Sequence, residues 1–379
     1  MKSDIPSILS ARVVYAMQWY FLAPVTIVIA QAMGMQLSQI GLLPVSFIVG
    51  AAAAQIPAGL LSSKFSPKWV YVAGLGLLSG ADLAASVSTT ETTLLSARLA
   101  AGFGAGLFFS PAAAVLVRAR ESRAGLVMGA YNAAFNVGGM LGLAWGIPET
   151  ALGWRAGMAL GGLIGLALAV ENAMVGKREV PKGSGAVELT TPVLVLGIST
   201  AGFWGSNYAA GTLLASYAQL AYGATPAYAG LLTSVFFVGS IAGGLFGHSF
   251  DKVRRKWAFM FGLMVGTSAT FAAIGLGATV MVIAMLANGL LSGLAFTSYY
   301  AFTSSISKNF SLALATVNFL NMVIGVWVSS LFGWAMSVSV RDAPFALIGA
   351  SILPLSLWLL PRKFREPAVR RGPANQKKT

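Results

Sequence analysis

The chain has 379 residues, of which 56% are hydrophobic, only 9% are charged and 44 are glycine, a balance that a water-soluble fold could not present without large apolar patches. The formal charge is +14, but the Lys and Arg residues fall in short gaps between apolar runs rather than on one folded polar face, which argues against a nucleic-acid module. There are no cysteines, so disulfides, thiolate metal sites and cysteine nucleophiles are excluded.

A membrane-crossing helix needs about 20 mostly apolar residues. Taken in order, the chain offers about twelve such runs: near 11–32, 38–61, 69–88, 92–117, 124–147, 154–175, 191–214, 226–247, 257–277, 279–303, 311–336 and 343–361. The first run is long for the core of a cleaved signal and Pro24 interrupts it, so it reads as a span. Between the sixth and seventh runs lies a long polar stretch with Lys177, Arg178, Glu179, Pro181, Lys182, Gly183 and Gly185, the composition of a flexible linker. The expected organisation is a six-helix bundle over 1–175, a linker over 176–190, a second six-helix bundle over 191–361 and a basic tail over 362–379.

The second half repeats the first at a displacement of about 187 residues. Ala101-Gly102-Phe103-Gly104-Ala105-Gly106-Leu107-Phe108-Phe109 is echoed by Asn288-Gly289-Leu290-Leu291-Ser292-Gly293-Leu294-Ala295-Phe296, Asn132 and Asn136 by Asn318 and Asn321, and Lys68-Trp69 by Lys256-Trp257. Two similar membrane halves are the signature of a transporter that rocks one half against the other around a central site. The basic residues set the orientation. In the twelve-span arrangement 22 of the 25 Lys and Arg residues fall on one side, Arg12 among them, while Arg155 and Arg341 fall on the other and Arg98 lies within a span. The positive-inside rule then places both termini in the cytoplasm. The expected location is the cytoplasmic membrane.

Local motifs agree with this architecture. Gly59-Leu60-Leu61-Ser62-Ser63-Lys64-Phe65-Ser66-Pro67-Lys68 follows the second run, and Gly244-Leu245-Phe246-Gly247-His248-Ser249-Phe250-Asp251-Lys252, continued by Arg254-Arg255-Lys256, follows the eighth. The fourth run carries Arg98-Leu99-Ala100-Ala101-Gly102-Phe103-Gly104-Ala105-Gly106, and Gly153-Trp154-Arg155 precedes the sixth. With the two six-span halves, these stretches resemble the major facilitator superfamily over nearly the whole chain. The resemblance implies an all-α integral membrane protein with about twelve transmembrane helices in two pseudo-symmetric bundles. It also implies gating loops, here Gly59, Ser63, Lys64 and Lys68 in the first half and Gly244, His248, Asp251, Lys252, Arg254 and Arg255 in the second. Ser63 and His248 stand where the family's loop has an acid, which implies a weakened first-half latch. The fifth run also lacks the Gly-Pro associated with antiporters and drug exporters, which lowers the drug-efflux reading.

Six asparagines, Asn132, Asn136, Asn207, Asn288, Asn318 and Asn321, lie about eight to seventeen residues into their runs and share a depth near the midplane. An unpartnered carboxamide in hydrocarbon is costly, so these faces are expected to point inward, either bonding helix to helix or touching solute. Gln18, Trp19, Trp204, Tyr208 and Tyr299, in spans expected to border the cavity, are further candidates for solute contact. Asp82 and Arg98 lie eight residues on either side of Thr90, at equal depth, where pairing would relieve both charges. Unpaired, Arg98 would meet an anionic solute and Asp82 would be a proton site. His248 titrates in the physiological range but reads as a loop residue beside Lys252 and Arg254.

No phosphate-binding Gly-x-x-x-x-Gly-Lys-(Ser/Thr) loop, HExxH or Gly-x-Ser-x-Gly sequence is present. The expectation is a non-enzymatic transporter without cofactor or metal, working as a monomer in contact with lipid. It would move a small neutral or singly anionic organic solute, with or without protons. The alternatives are a proton-coupled drug or metabolite exporter and, more remotely, a receptor or scaffold on a transporter fold.

Overall fold

The computed structural model describes residues 4–119, 124–175, 190–246, 253–306 and 310–359. The linker 176–189, the tail from 360 onward and the gating candidates His248, Asp251 and Lys252 lie outside the described residues. Every regular element described is helical, and together the helices form twelve spans. The first runs from Asp4–Tyr20 through a 3-10 turn, Ala23–Val25, to Thr26–Ala32. The second is Leu42–Lys64, the third Pro67–Ser86 and the fourth Glu91–Ala119. The fifth is Ala124–Ala144 with a short extension Gly146–Leu152, and the sixth is Trp154–Met174. In the second half the seventh and eighth are Thr191–Tyr222 and Pro226–Leu245. The ninth is Lys256–Thr270 continued by Phe271–Leu276, and the tenth is Ala278–Ile306. The eleventh is Phe310–Gly325 followed by Trp327–Val338, and the twelfth is Pro344–Leu355 followed by Ser356–Leu359. Asp4 and Thr191, and likewise Glu91 and Ala278, open corresponding spans at the 187-residue displacement of the repeat.

Helix ends follow local chemistry. Pro67, Pro192, Pro226 and Pro344 sit in first turns, where the missing N–H has no helical partner to lose. Thr225 caps the eighth span by accepting from the Tyr228 N–H. The seventh closes on Gly223 in the left-handed region, φ 65°, a conformation that favours glycine.

Nine of these stretches are long and apolar enough to cross a bilayer. The seventh is diluted by Ser, Thr, Asn and Tyr, yet most of its residues from Val193 to Ala218 are buried. Its polarity is turned toward protein, not lipid.

The repeated glycines form the seams within each half. A methyl group on Gly102 would collide with the Phe47 carbonyl and one on Gly106 with that of Ala51, locking the fourth span against the second. Gly289 and Gly293 stand in the same way against the carbonyls of Phe236 and Ser240, joining the tenth span to the eighth. Gly50 and Gly239 complete the two seams from the other side, against Leu99 and Leu286. Close backbone approach supplies the packing that replaces the hydrophobic effect within a bilayer.

The halves join at mid-span and toward the ends remote from the chain termini. Gln219 donates to the Pro24 carbonyl at 2.7 Å and Tyr208 to that of Pro44 at 3.2 Å. Gly41 abuts Ser329 and Ser330, Gly230 abuts Leu143 and Pro24, and Gly146 abuts Pro226 and Ala227. At mid-span Ser240 donates to Asn136 at 3.4 Å, and the Gln55 amide reaches the Met322 sulfur at 3.7 Å.

Candidate functional site

The first span presents Arg12, Tyr15 and Trp19 at helical spacing on one face. By sequence Arg12 falls among the loop charges, because it stands at the very start of the run near 11–32. The structure corrects that placement: the helix begins at Asp4 and Arg12 is 3% exposed. Its guanidinium carbon lies 4.6 Å from the ring centre of Tyr15, 4.9 Å from Phe109, 4.2 Å from Tyr131 and 4.7 Å from Phe135. Rings from the first, fourth and fifth spans thus surround the cation, each face attracting it electrostatically. Arg12 Nε and Nη1 have no hydrogen-bond partner. No carboxylate pairs with Arg12 among the described residues.

Two turns deeper, Trp19 collects rings from both halves. Phe47 lies 5.0 Å away, Phe135 5.8 Å and Tyr208 6.0 Å between centres. Trp204 stacks on Tyr208 at 5.4 Å, and Tyr20 meets Phe237 at 5.0 Å. The Trp19 indole N–H is buried without a partner. Trp19, Trp204 and Tyr208 are therefore brought together where the halves meet, as aromatic walls carrying polar handles.

The carboxamides divide. Asn136 is half-buried at the seam with Ser240, and Asn132, one turn away on the same face, is exposed. Asn207 donates to the Phe203 carbonyl of its own helix at 2.8 Å and leaves its oxygen buried without a partner. Asn288 binds Thr270 at 2.8 Å and the Thr267 carbonyl at 3.1 Å, tying the tenth span to the ninth. Asn321 accepts from Thr200 at 2.9 Å and donates to Tyr299 at 3.4 Å, joining the seventh, eleventh and tenth spans. Asn318 is buried one turn before it. Gln18 is fully buried, donating to Ser79 and to the Gly161 carbonyl at 3.1 Å each. Gln18, Asn288, Asn321 and Tyr299 thus spend polar groups inside their own halves. Asn172, not singled out from sequence, does the same, bonding Ser7, Leu168 and Tyr71. Ser7 and Tyr71 are remote from it in the chain, which is why no local pattern marked it.

Arg98 donates to Asp82 at 2.8 Å, with both side chains nearly solvent-free. Asp82 Oδ2 and Arg98 Nε have no further partner, and the guanidinium lies 4.5 Å from the Phe47 ring centre. A second buried acid, Glu149 in the extension of the fifth span, has neither oxygen partnered.

Of the gating candidates, Gly59 is exposed with open space around it, and Ser63 lies in the last turn of the second span. Lys64 is exposed. Lys68 is buried and donates to the Ala173 carbonyl at 2.9 Å, neutralising the C-terminal end of the sixth span within the same half. Gly244 faces Thr297 of the tenth span, and Arg254 and Arg255 are exposed.

Comparison with known proteins places this arrangement in context. The profile of the Major Facilitator Superfamily matches residues 8–195. The chain belongs to the major facilitator superfamily. An MFS-type transporter of Mycobacterium tuberculosis is 31% identical over 111 residues, 29% of this chain and 19% of its own. The methylenomycin A resistance protein of Streptomyces coelicolor is 28% identical over 134 residues, 34% of this chain and 28% of its own. The matched stretches thus span less than a third of these relatives. Over the whole fold the chain resembles a D-xylose-proton symporter, with TM-score 0.77 and 12% identity, covering 93% of this chain and 96% of that one. It also resembles a bacterial homologue of the human lysosomal transporter Spinster in an inward-facing, occupied conformation. There the TM-score is 0.74 with 13% identity, covering 97% of this chain and 99% of that one. The twelve-helix, two-bundle superfamily fold is thereby shown; at such identities the likeness carries the fold alone.

Proposed function

We propose that this superfamily member is a secondary or facilitative transporter that moves a small organic solute, neutral or singly anionic, by rocking the first six spans against the last six. The observation that carries the reading is the mid-span cluster of Trp19, Trp204 and Tyr208, contributed by both halves, with Asn136 at the seam between the fifth and eighth spans. An apolar wall with few polar handles at the seam of two movable bundles suits a solute site. The chain would work as a monomer in the cytoplasmic membrane with both termini inside, the loops at 59–68 and 244–256 closing that side.

The absence of native cysteines makes the test direct. A single cysteine at exposed Asn132 is challenged with a membrane-impermeant maleimide from each face of sealed vesicles. Labelling from both faces supports alternating access; labelling from one face only supports a receptor or scaffold and overturns the proposal.

A second reading, a proton-coupled exporter, draws on the methylenomycin A resistance protein and on the unpartnered Oδ2 of buried Asp82. It requires exchange that depends on Asp82; flux unchanged in Asp82→Asn removes it.

A further inference from the structure

The Arg98 guanidinium already holds a carboxylate, so it is poorly placed to hold a second anion. Arg12 differs. It is buried to the same degree, pairs with no acid among the described residues, and keeps Nε and Nη1 without hydrogen-bond partners. A guanidinium has five N–H donors in one plane. The rings of Tyr15, Phe109, Tyr131 and Phe135 can stack over its faces but cannot accept the in-plane hydrogen bonds. A buried charge left so is costly unless a partner arrives. The rings that face it are those of neutral residues, Tyr15, Tyr131, Phe109 and Phe135. The Tyr131 hydroxyl is already committed to the Phe109 carbonyl at 2.8 Å.

Resting on the transport reading, we infer that Arg12 is the anchor for the solute's negative charge, and that the solute is an organic monocarboxylate with an apolar or aromatic body. A carboxylate matches the donor plane of a guanidinium and forms the stronger, charge-assisted kind of hydrogen bond. One cation, with no second base in the cage among the described residues, satisfies one negative charge and leaves a second unpaired, which disfavours dicarboxylates. The body of the acid extends along the first-span face past Tyr15 to Trp19, whose unpartnered indole N–H and ring contacts with Tyr208 continue the same stripe into the other half.

The test measures thermal unfolding of the purified full chain in detergent with benzoate, indole-3-acetate and hexanoate, each beside its primary amide, and with succinate. At least one monocarboxylate is expected to bind at least tenfold more tightly than its amide and than succinate. That preference should disappear in Arg12→Gln and persist in Arg98→Lys. If Arg12→Gln does not elute as a single species, Arg12→Lys replaces it, with the acid preference kept but affinity weakened about tenfold because an ammonium cannot chelate. Equal binding of acids and amides by the parent, an acid preference unchanged in Arg12→Gln, or an acid affinity unchanged in Arg12→Lys overturns the inference. Two-sided labelling of Asn132→Cys is read in parallel, in sealed vesicles reconstituted from the same purified protein. If it persists while the acid preference fails, the charge assignment is wrong and the transport reading stands; if it is one-sided, the transport reading itself fails.

Discussion

Two buried arginines within a few turns of the interface carry different chemistry because of what faces them. Arg98 is neutralised by Asp82 at 2.8 Å, and removing one member of such a pair leaves the other charge uncompensated. Asp82→Asn is therefore expected to destabilise the protein by about 3–5 kcal/mol, seen as a lowered unfolding temperature in detergent. The double replacement Asp82→Leu with Arg98→Met should recover most of that loss, since well-packed apolar groups substitute for a buried pair at little cost. A single mutant as stable as the parent would mean that the pair is solvated. The equal depth of the pair was legible in the sequence, because both residues stand eight positions from the tip of one hairpin. The place of Arg12 was not: its helix begins before the apolar run does, and only the rings of Phe109, Tyr131 and Phe135, contributed by other spans, disclose its burial.

Among elements, the seams between the second and fourth spans and between the eighth and tenth are the most demanding packing in the molecule. Gly102 and Gly289, one repeat apart, each face a backbone carbonyl with no room for a methyl group. Gly102→Val or Gly289→Val should cost at least the roughly 1–3 kcal/mol typical of overpacking, because backbone yields less readily than side chains. Gly76, on the third span with open space where a methyl group would sit, is the control. Gly76→Ala should be neutral or stabilising by up to about 1 kcal/mol. Thermal unfolding of the three variants separates the outcomes, and equal sensitivity at all three positions would remove the seam argument. The existence and order of the spans could be read from hydropathy alone, but not all their ends. The seventh runs to Tyr222, beyond the apolar run that marked it, where polar residues bond to other spans: Gln219 donates to the Pro24 carbonyl and Tyr222 to that of Ile274.

For the whole molecule, the two halves and the side on which the basic residues gather define a topology open to direct measurement. Thr90, exposed in the loop joining the third and fourth spans, and Lys64, exposed near the loop joining the second and third, lie at opposite ends of the third span. With termini inside, Thr90→Cys should react with an impermeant maleimide in intact cells, whereas Lys64→Cys should react only after permeabilisation. The reverse pattern would invert the orientation. The end-on joints at Gln219 with Pro24 and Gly41 with Ser329 then lie on the outer side, holding that side shut in this structure.

Membrane residence, an approximate count of spans and their duplication were legible in the sequence alone, because each reflects local solvation or internal repetition; the equal depth of Asp82 and Arg98 was legible too, but their pairing came from the structure. The partners of the remaining polar groups were decided only by tertiary structure. Gln18 meets Ser79 and Gly161 across 61 and 143 residues of chain, Lys68 meets Ala173 across 105, and Arg12 meets rings from two other spans. A buried polar group needs a partner wherever the chain can supply one, and spacing along one helix does not say which of eleven others will bring it.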